Sequence, residues 1–170
     1  MQSITSKVVS RSALAALLAT GIFANAQAQS VHPNDFVEGV ANKALESLLN
    51  DSAARSGDIS AANRLIDQHV VPHVNMEKTT RLAVGQPWRQ ATAEQRAALV
   101  EGFKATLIRT YSGALKGVKD GTSINMLQFR GDPNADDVVV RTTIEGVSNT
   151  PVGVDYRLEK AGDSWKVYDV

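Results

Sequence analysis

Apolar residues in the first two thirds of the chain recur at the spacing of helix faces. The first stripe predicts a helix from Asn34 to Leu49, with Asp35 and Glu38 forming a capping box at its start. A second helix is predicted from Ser60 to Val71, where Pro72 ends it because proline has no amide hydrogen to donate. The first stripe consists of Phe36, Val37, Val40, Ala41, Ala44, Leu45, Leu48 and Leu49.

Two further helical patterns follow the proline. A short helix is predicted from Asn75 to Val84 and is closed by Gly85, where a left-handed backbone costs least. The longest helix is predicted from Ala93 to Lys116, with Thr92 as its N-cap and Gln95 completing a capping box. Its apolar stripe consists of Leu99, Val100, Phe103, Leu107, Ile108, Tyr111, Ala114 and Leu115.

Beyond Gly121 the apolar pattern changes from helical spacing to alternation, and valine, threonine and isoleucine become frequent. Turn residues separate the alternating segments, so the strands form an antiparallel meander with one buried face. Helices followed by such a meander predict an α+β fold, with N-terminal helices packed on one face of a C-terminal antiparallel β-sheet. The predicted strands are Ser123 to Arg130, Asp137 to Val147, Pro151 to Lys160 and Ser164 to Val170.

The first 28 residues have the pattern of a secretory signal peptide. Lys7 and Arg11 precede an apolar run from Ala13 to Ala24, and small residues follow at Ala26 and Ala28. A membrane-spanning helix needs about 20 apolar residues, which is longer than this run, so a retained anchor is the weaker alternative. We therefore predict cleavage after Ala28, with Ala26 as the second choice, and a single domain over residues 29–170.

Composition removes several classes of function. The chain has no cysteine, which excludes disulfides, thiolate nucleophiles and cysteine-based zinc sites. Its 18 basic residues balance 18 acidic ones, and no basic cluster is available to attract nucleic acid. The sequence also lacks the GxSxG, Walker-type and GxGxxG motifs, so acyl transfer, nucleotide hydrolysis and dinucleotide binding have none of their usual scaffolding.

His69 and His73 are the clearest candidates for chemistry. Their spacing of four suits a zinc ion on a helix, but Pro72 interrupts the helix and neither a third ligand nor the glutamate of HExxH is present. The pattern therefore favours two structural or surface histidines over a metal site. A second interpretation pairs His73 with Asp67 or Glu77 for general acid–base catalysis in a cavity, as in an NTF2-like enzyme.

Two aromatic residues have alternative interpretations. Trp88 is expected to anchor a loop on the core, and the alternative is an exposed contact for a partner. Tyr111 is either ordinary core or the border of a ligand cavity. Only 5% of the chain is aromatic, which is compatible with unfilled space between the helices and the sheet.

Several motifs, in their order and spacing, resemble the MlaC family. They are VVPHVNM from Val70, WRQAT from Trp88, RTY from Arg109 and WKVYDV from Trp165. Members of this family are periplasmic phospholipid-binding components of the Mla transport system, also known as toluene-tolerance auxiliary components of an ABC transporter. The resemblance covers nearly all of the chain that follows the predicted signal peptide.

The resemblance implies a carrier and not an enzyme. Its fold would be an NTF2-like cone with a lipid cavity, and a phospholipid would be its cargo, with no cofactor. The implied monomer shuttles lipid between an inner-membrane MCE-domain ABC transporter complex and an outer-membrane lipoprotein-porin complex, which maintains outer-membrane lipid asymmetry. A hopanoid-type lipid carrier is the alternative within this class. Burial of the acyl chains agrees with their exposure cost of about 0.8 kcal/mol per CH₂ group.

The predicted inward stripes supply candidates for the cavity wall. Family members continue beyond the motif that ends at Val170 with a strand segment and a C-terminal helix, so we expect the lipid-binding domain to be truncated at its C-terminus. Without that extension, the last strand is expected to leave a bare sheet edge. The predicted lipid-binding residues are Phe103, Leu107, Tyr111, Val140, Val154 and Tyr156.

Overall fold

The computed structural model describes residues 30–170, so the predicted signal peptide of residues 1–28 lies outside the described residues. Within the described range, no helix combines the length and apolar character needed to cross a membrane. Two 3₁₀ turns, Val71–His73 and Ser112–Gly117, follow the third and sixth helices. The α-helices are α1 Pro33–Leu49, α2 Ser52–Arg55, α3 Ile59–His69, α4 Met76–Val84, α5 Pro87–Gln90 and α6 Ala93–Tyr111.

Four strands form one antiparallel sheet in the order β1-β2-β3-β4. The helices precede this meander in the chain, and the predicted α+β fold is confirmed. On the inward face of the sheet, Val140 pairs with Tyr156, and Leu158 pairs with Val167. The strands are β1 Ser123–Met126, β2 Asp137–Glu145, β3 Val152–Ala161 and β4 Ser164–Asp169.

The start of α1 differs from the prediction. His32 is the N-cap, and its Nδ1 accepts a hydrogen bond from the amide of Asn34 at 3.2 Å. Pro33 occupies the first turn, where its fixed φ favours the helix and its missing N–H leaves no donor unpaired. The helix therefore begins before Asp35, and the predicted capping box of Asp35 and Glu38 is wrong.

The start of α6 agrees with the prediction. The Thr92 hydroxyl accepts from the amide of Gln95 at 3.3 Å, and the Gln95 side chain accepts from the amide of Thr92 at 2.9 Å. This capping box satisfies two amides that the helix itself leaves without partners. The α-helical hydrogen-bonding pattern ends at Tyr111, and the remaining predicted residues continue as the tighter 3₁₀ turn.

The apolar core consists of two separate clusters that contact opposite ends of α1. The helix cluster contains Leu48, Ala54 and Ala61, with Leu65, Leu115 and Val118 packed around it. Between the two clusters, Ala41, Ala44 and Leu45 of α1 belong to neither of them and border an unfilled space. The sheet cluster joins the start of α1 to the sheet and contains Phe36, Val37, Val138, Val140, Leu158, Trp165 and Val167.

The segment between α3 and α4 pairs with the outer edge of β4. Val74 forms a parallel bridge with Val167, and the amide of Asn75 donates to the Val167 carbonyl at 2.7 Å. Asn75 also caps α4 by accepting from the amide of Lys78 at 2.9 Å, and its amide group donates to Glu159 at 2.5 Å. The expectation of a bare edge is therefore wrong at Val167, because this segment occupies it.

Trp88 lies on the core, as expected. Its side chain is only 4% exposed, which excludes the alternative of an exposed partner contact. The guanidinium of Arg96 lies 5.6 Å from the Trp88 ring, and its Nε donates to the Trp88 carbonyl at 3.1 Å. Gly85 closes α4 with a φ of 69°, as its position predicted. The segment between α4 and α6 thus begins at Gly85 and is bonded to the start of α6 through Arg96.

The substitution Asn75→Ala should lower the free energy of unfolding by about 1–3 kcal/mol, because it removes the α4 cap and the bond to Glu159. Urea titration followed by circular dichroism measures this change. Asn42→Ala, at an exposed position of α1, is the matched control and should change stability by less than about 0.5 kcal/mol. Equal effects of the two substitutions would contradict this account of the α3–α4 segment.

Candidate functional site

A cavity of about 350 Å³ lies between the two core clusters, and we call it the α1 cavity. The middle of α1 forms one wall, the inner face of α3 forms a second, and the sheet forms a third. The wall contributed by α1 consists of Phe36, Val37, Val40, Ala41, Ala44, Leu45 and Leu48, which is the predicted stripe without Leu49.

A second cavity of about 710 Å³, the α6 cavity, lies between α3, α6 and the sheet. The two cavities share lining residues, including Ile66 of α3, Val70 directly after it, and Tyr156 with Val167 of the sheet. They therefore adjoin each other along the inner face of α3. Each volume falls within the range of about 300–1,000 Å³ that is typical of ligand sites.

The walls of both cavities are almost entirely apolar. His73 and Thr122 are the polar exceptions in the α1 cavity apart from the Tyr156 hydroxyl. Polar side chains are more frequent in the α6 cavity, where Lys104, Ser112 and Asp169 join Thr79. An apolar surface of this kind can bury hydrocarbon, whose transfer from water is favourable by about 0.8 kcal/mol per CH₂. These walls offer few hydrogen-bonding partners to a polar ligand inside the cavities.

Four of the six predicted lipid-binding residues line a cavity. Phe103, Leu107 and Tyr111 lie on the α6 cavity, and Tyr156 lies between the two. Tyr111 is 63% exposed, so it borders the cavity and its interpretation as ordinary core is wrong. Contact of these four side chains with lipid stays a prediction.

Val140 and Val154 do not line either cavity, and their predicted place on the wall is corrected. Val140 is fully buried because the sheet cluster encloses it completely. Val154 lies at the register position of the buried Thr142 and is half-buried without reaching either cavity. The inward face of the sheet is thus divided between solid packing and cavity wall.

The residues missed by sequence reasoning are mostly on α1 and α3. The α1 stripe predicts an apolar helix face, but none of its residues is among the predicted lipid-binding residues. A signal was present in the small side chains Ala41, Ala44 and Ala62, which lie on inward faces but fill little volume. Because alanine is also common in well-packed helices, this signal becomes clear only when the facing residues are known.

His73 lines the α1 cavity and packs edge-on against Phe36, with ring centroids 5.8 Å apart. Burial lowers the pKa of His73, and the positive charge of Lys166 lowers it further. Within residues 30–170, no carboxylate forms an ion pair or hydrogen bond with this imidazole, so the proposed pairing with Asp67 or Glu77 is not formed. The neutral form of His73 is compatible with an apolar wall.

Metal-ligating side chains do not converge in the described part of the chain. Residues 30–170 contain no group of three or more histidine, aspartate and glutamate side chains placed to hold an ion. His69 and His73 lie on different elements, since α3 ends at His69 and His73 belongs to the following 3₁₀ turn. The helical spacing that suggested a shared metal is therefore not realised.

A family model described as MlaC protein matches residues 38–170. The chain belongs to the MlaC family. A solved structure, that of the phospholipid-binding protein from Ralstonia solanacearum in complex with a phospholipid, is similar to this MlaC chain. The two sequences are 38% identical, the match covers 82% of this chain and 76% of the other, and the TM-score is 0.76. The resemblance inferred from the motifs is confirmed.

Replacing Lys166 with methionine should raise the pKa of His73 toward its ordinary value, because a nearby positive charge is removed. NMR titration of the imidazole measures this shift. Lys160→Met is the control, since the Lys160 ammonium lies over Trp165 and does not contribute to the pKa of His73. Identical His73 pKa values in both variants and the wild type would contradict the assigned cause.

The same pKa shift predicts a pH dependence of stability. Because the folded-state pKa of His73 is below the unfolded value of about 6.5, the unfolded chain binds the proton more tightly. The contribution of His73 to stability is therefore present above that value and is lost as the pH falls below it. This loss should be smaller in Lys166→Met, as measured by urea unfolding at several pH values.

Proposed function

We propose that this MlaC chain is a periplasmic carrier that holds the acyl chains of a phospholipid in its two adjoining cavities. The observation that carries the proposal is the pair of apolar cavities along α3, with walls from α1, α6 and the sheet. Mostly apolar clefts of this size, with a few polar groups, are the usual form of a ligand site. Hydrocarbon chains match the chemistry of the walls.

The polar residues favour one orientation of the lipid. Lys104, Ser112 and Asp169 all lie on the α6 cavity, and the exposed Tyr111 borders it. The α1 cavity has fewer polar groups and is flanked by both core clusters. A headgroup at the α6 cavity would stay in contact with water, while the acyl chains would extend toward α1.

The similar structure from Ralstonia solanacearum supports the choice of cargo. That protein is a phospholipid-binding protein in complex with a phospholipid, and its fold and sequence are close to those of this chain. A hopanoid-type lipid would present similar hydrocarbon to the same walls. Chemical analysis of the bound lipid separates these two cargoes.

Family membership supports the remaining features of the proposal. The carrier acts without a cofactor and without catalysing a reaction, and it works as a monomer. Its partners are an inner-membrane MCE-domain ABC transporter complex and an outer-membrane lipoprotein-porin complex. Between them it moves phospholipid and thereby maintains the lipid asymmetry of the outer membrane. The apolar walls support this role because an acyl chain crossing water needs a cover.

Protein purified without detergent should release phospholipid in near-stoichiometric amount when it is extracted into organic solvent and examined by mass spectrometry. Leu107→Trp should reduce this amount because the larger side chain fills part of the α6 cavity. Leu82→Trp adds the same volume at a position that is 54% exposed and lines neither cavity, so it should retain its lipid.

The free energy of unfolding of Leu107→Trp distinguishes a ligand cavity at this position from a solid core. If Leu107 lay in a solid core, tryptophan there would destabilise the protein by about 1–3 kcal/mol through overpacking. A lipid-free extract of the wild-type protein would count decisively against the carrier. Loss of lipid from Leu82→Trp as great as from Leu107→Trp would contradict the assignment of the cavity.

Export should remove the signal peptide. We expect the mature protein recovered from the periplasm to begin at Gln29, because cleavage is predicted after Ala28. Intact-mass spectrometry of the exported protein measures this position. Ala26→Leu with Ala28→Leu should block processing and leave the precursor mass, and a mature mass from that variant would contradict the predicted site.

A further inference from the structure

The helix α6 is held near its two ends and less firmly in its middle. Near its start, the Arg96 Nε donates to the carbonyl of the buried Trp88 at 3.1 Å. Near its end, Ile108 also borders the α6 cavity but is only 4% exposed. Between these points, Phe103 and Leu107 face the α6 cavity and are only half-buried. On the side of the α6 cavity, the middle of α6 therefore faces a space and not a packed layer.

One ion pair connects this middle part of α6 to α3. The Lys104 Nζ lies 3.1 Å from Asp67 Oδ1, and it is also 3.1 Å from Glu101 Oε2 within α6 itself. In the described part of the chain, the bond to Asp67 is the one side-chain hydrogen bond between α3 and α6. Lys104 also lines the α6 cavity. The ion pair therefore joins α3 to α6 at the wall of the cavity. We call the line of contact between these two helices the seam.

We propose that the seam between α3 and α6 is the passage for the acyl chains, and that the Lys104–Asp67 ion pair is its latch. The inference deepens the proposed function and rests on it. Ile66 on α3 and Phe103 with Leu107 on α6 line the same cavity from opposite sides of the seam. Separating the helices there opens an apolar path directly to the cavity.

Other walls would be harder to open. The wall at α1 is fixed by Phe36 and Val37 in the sheet cluster and by Leu48 in the helix cluster. The wall at Val74 is bonded to β4 through its bridge to Val167. Opening either wall would break packed core or sheet hydrogen bonds. Among the described residues, the one side-chain hydrogen bond between α3 and α6 belongs to a partly exposed ion pair.

The strength of the ion pair suits a latch that opens repeatedly. The Lys104 side chain is 21% exposed and that of Asp67 is 51% exposed, so water and salt weaken their attraction. Exposed pairs of this kind change an equilibrium or a rate by about 1.4- to 5-fold. The ion pair therefore slows release of the lipid without blocking it.

Lipid release tests the latch directly. The protein is loaded with fluorescent NBD-phosphatidylethanolamine, and transfer to acceptor vesicles of phosphatidylcholine is followed in time. Asp67→Asn should release the lipid about 2- to 5-fold faster than the wild type. It should also lose the acceleration that added salt produces in the wild type. Glu101→Gln is the matched control, because it breaks the pair within α6 and leaves the bond across the seam.

A covalent cross-link between α3 and α6 should slow lipid release, whereas Asp67→Asn should accelerate it. The chain has no cysteine, so Asp67→Cys with Lys104→Cys introduces the only two thiols, and a cleavable bis-maleimide joins them. Joining them should slow release by about tenfold or more, and cleavage of the linker should restore it. Lys43→Cys with Glu46→Cys, at an exposed ion pair on α1, is the control for linking within one helix.

The outcomes of these experiments distinguish failure of the latch from failure of the proposed lipid-carrier function. If the loaded wild type, Asp67→Asn and the linked protein all release lipid at one rate, the latch is overturned and the carrier stands. If the wild-type protein takes up no lipid at all, the proposed function is overturned and this inference with it. Faster release from Glu101→Gln equal to that from Asp67→Asn would also overturn the latch, because the bond across the seam would then have no special effect.

Discussion

The separation of the apolar core into two clusters is the constraint on which the rest of the molecule depends. The sheet cluster holds the start of α1, and the helix cluster holds its end near Leu48. Because α1 is a continuous helix between these two points, its middle cannot move onto the sheet without pulling one cluster apart. The α1 cavity beneath it therefore stays open, with α3 and the sheet as its other walls.

Much of the fold could be predicted because helical and strand periodicity are local properties of the chain. The Thr92 capping box, the Gly85 end of α4 and the antiparallel meander all follow from neighbouring residues. The start of α1 was missed because His32 and Pro33 provided a different cap from the one expected.

The cavity walls were harder to predict because they depend on where solid packing ends. Val140 and Tyr156 face each other on neighbouring strands and the same side of the sheet, yet one is enclosed and the other borders both cavities. Periodicity assigns residues to a face but cannot tell which part of the face is covered. The same limit explains why no α1 residue is among the predicted cavity residues and why the ion pair of Lys104 with Asp67, 37 residues away, was not foreseen.

The segment that contains Val74 also affects how this chain behaves among its own copies. A strand edge with unpaired backbone groups is a template for intermolecular pairing and aggregation, and an accessible apolar cavity is a second adhesive surface. Val74 borders both cavities and also occupies the edge of β4 at Val167. Any motion that widened the cavities at this wall would expose both the β4 edge and the apolar cavity surface. Selection against self-association would therefore favour sequences that keep this wall closed.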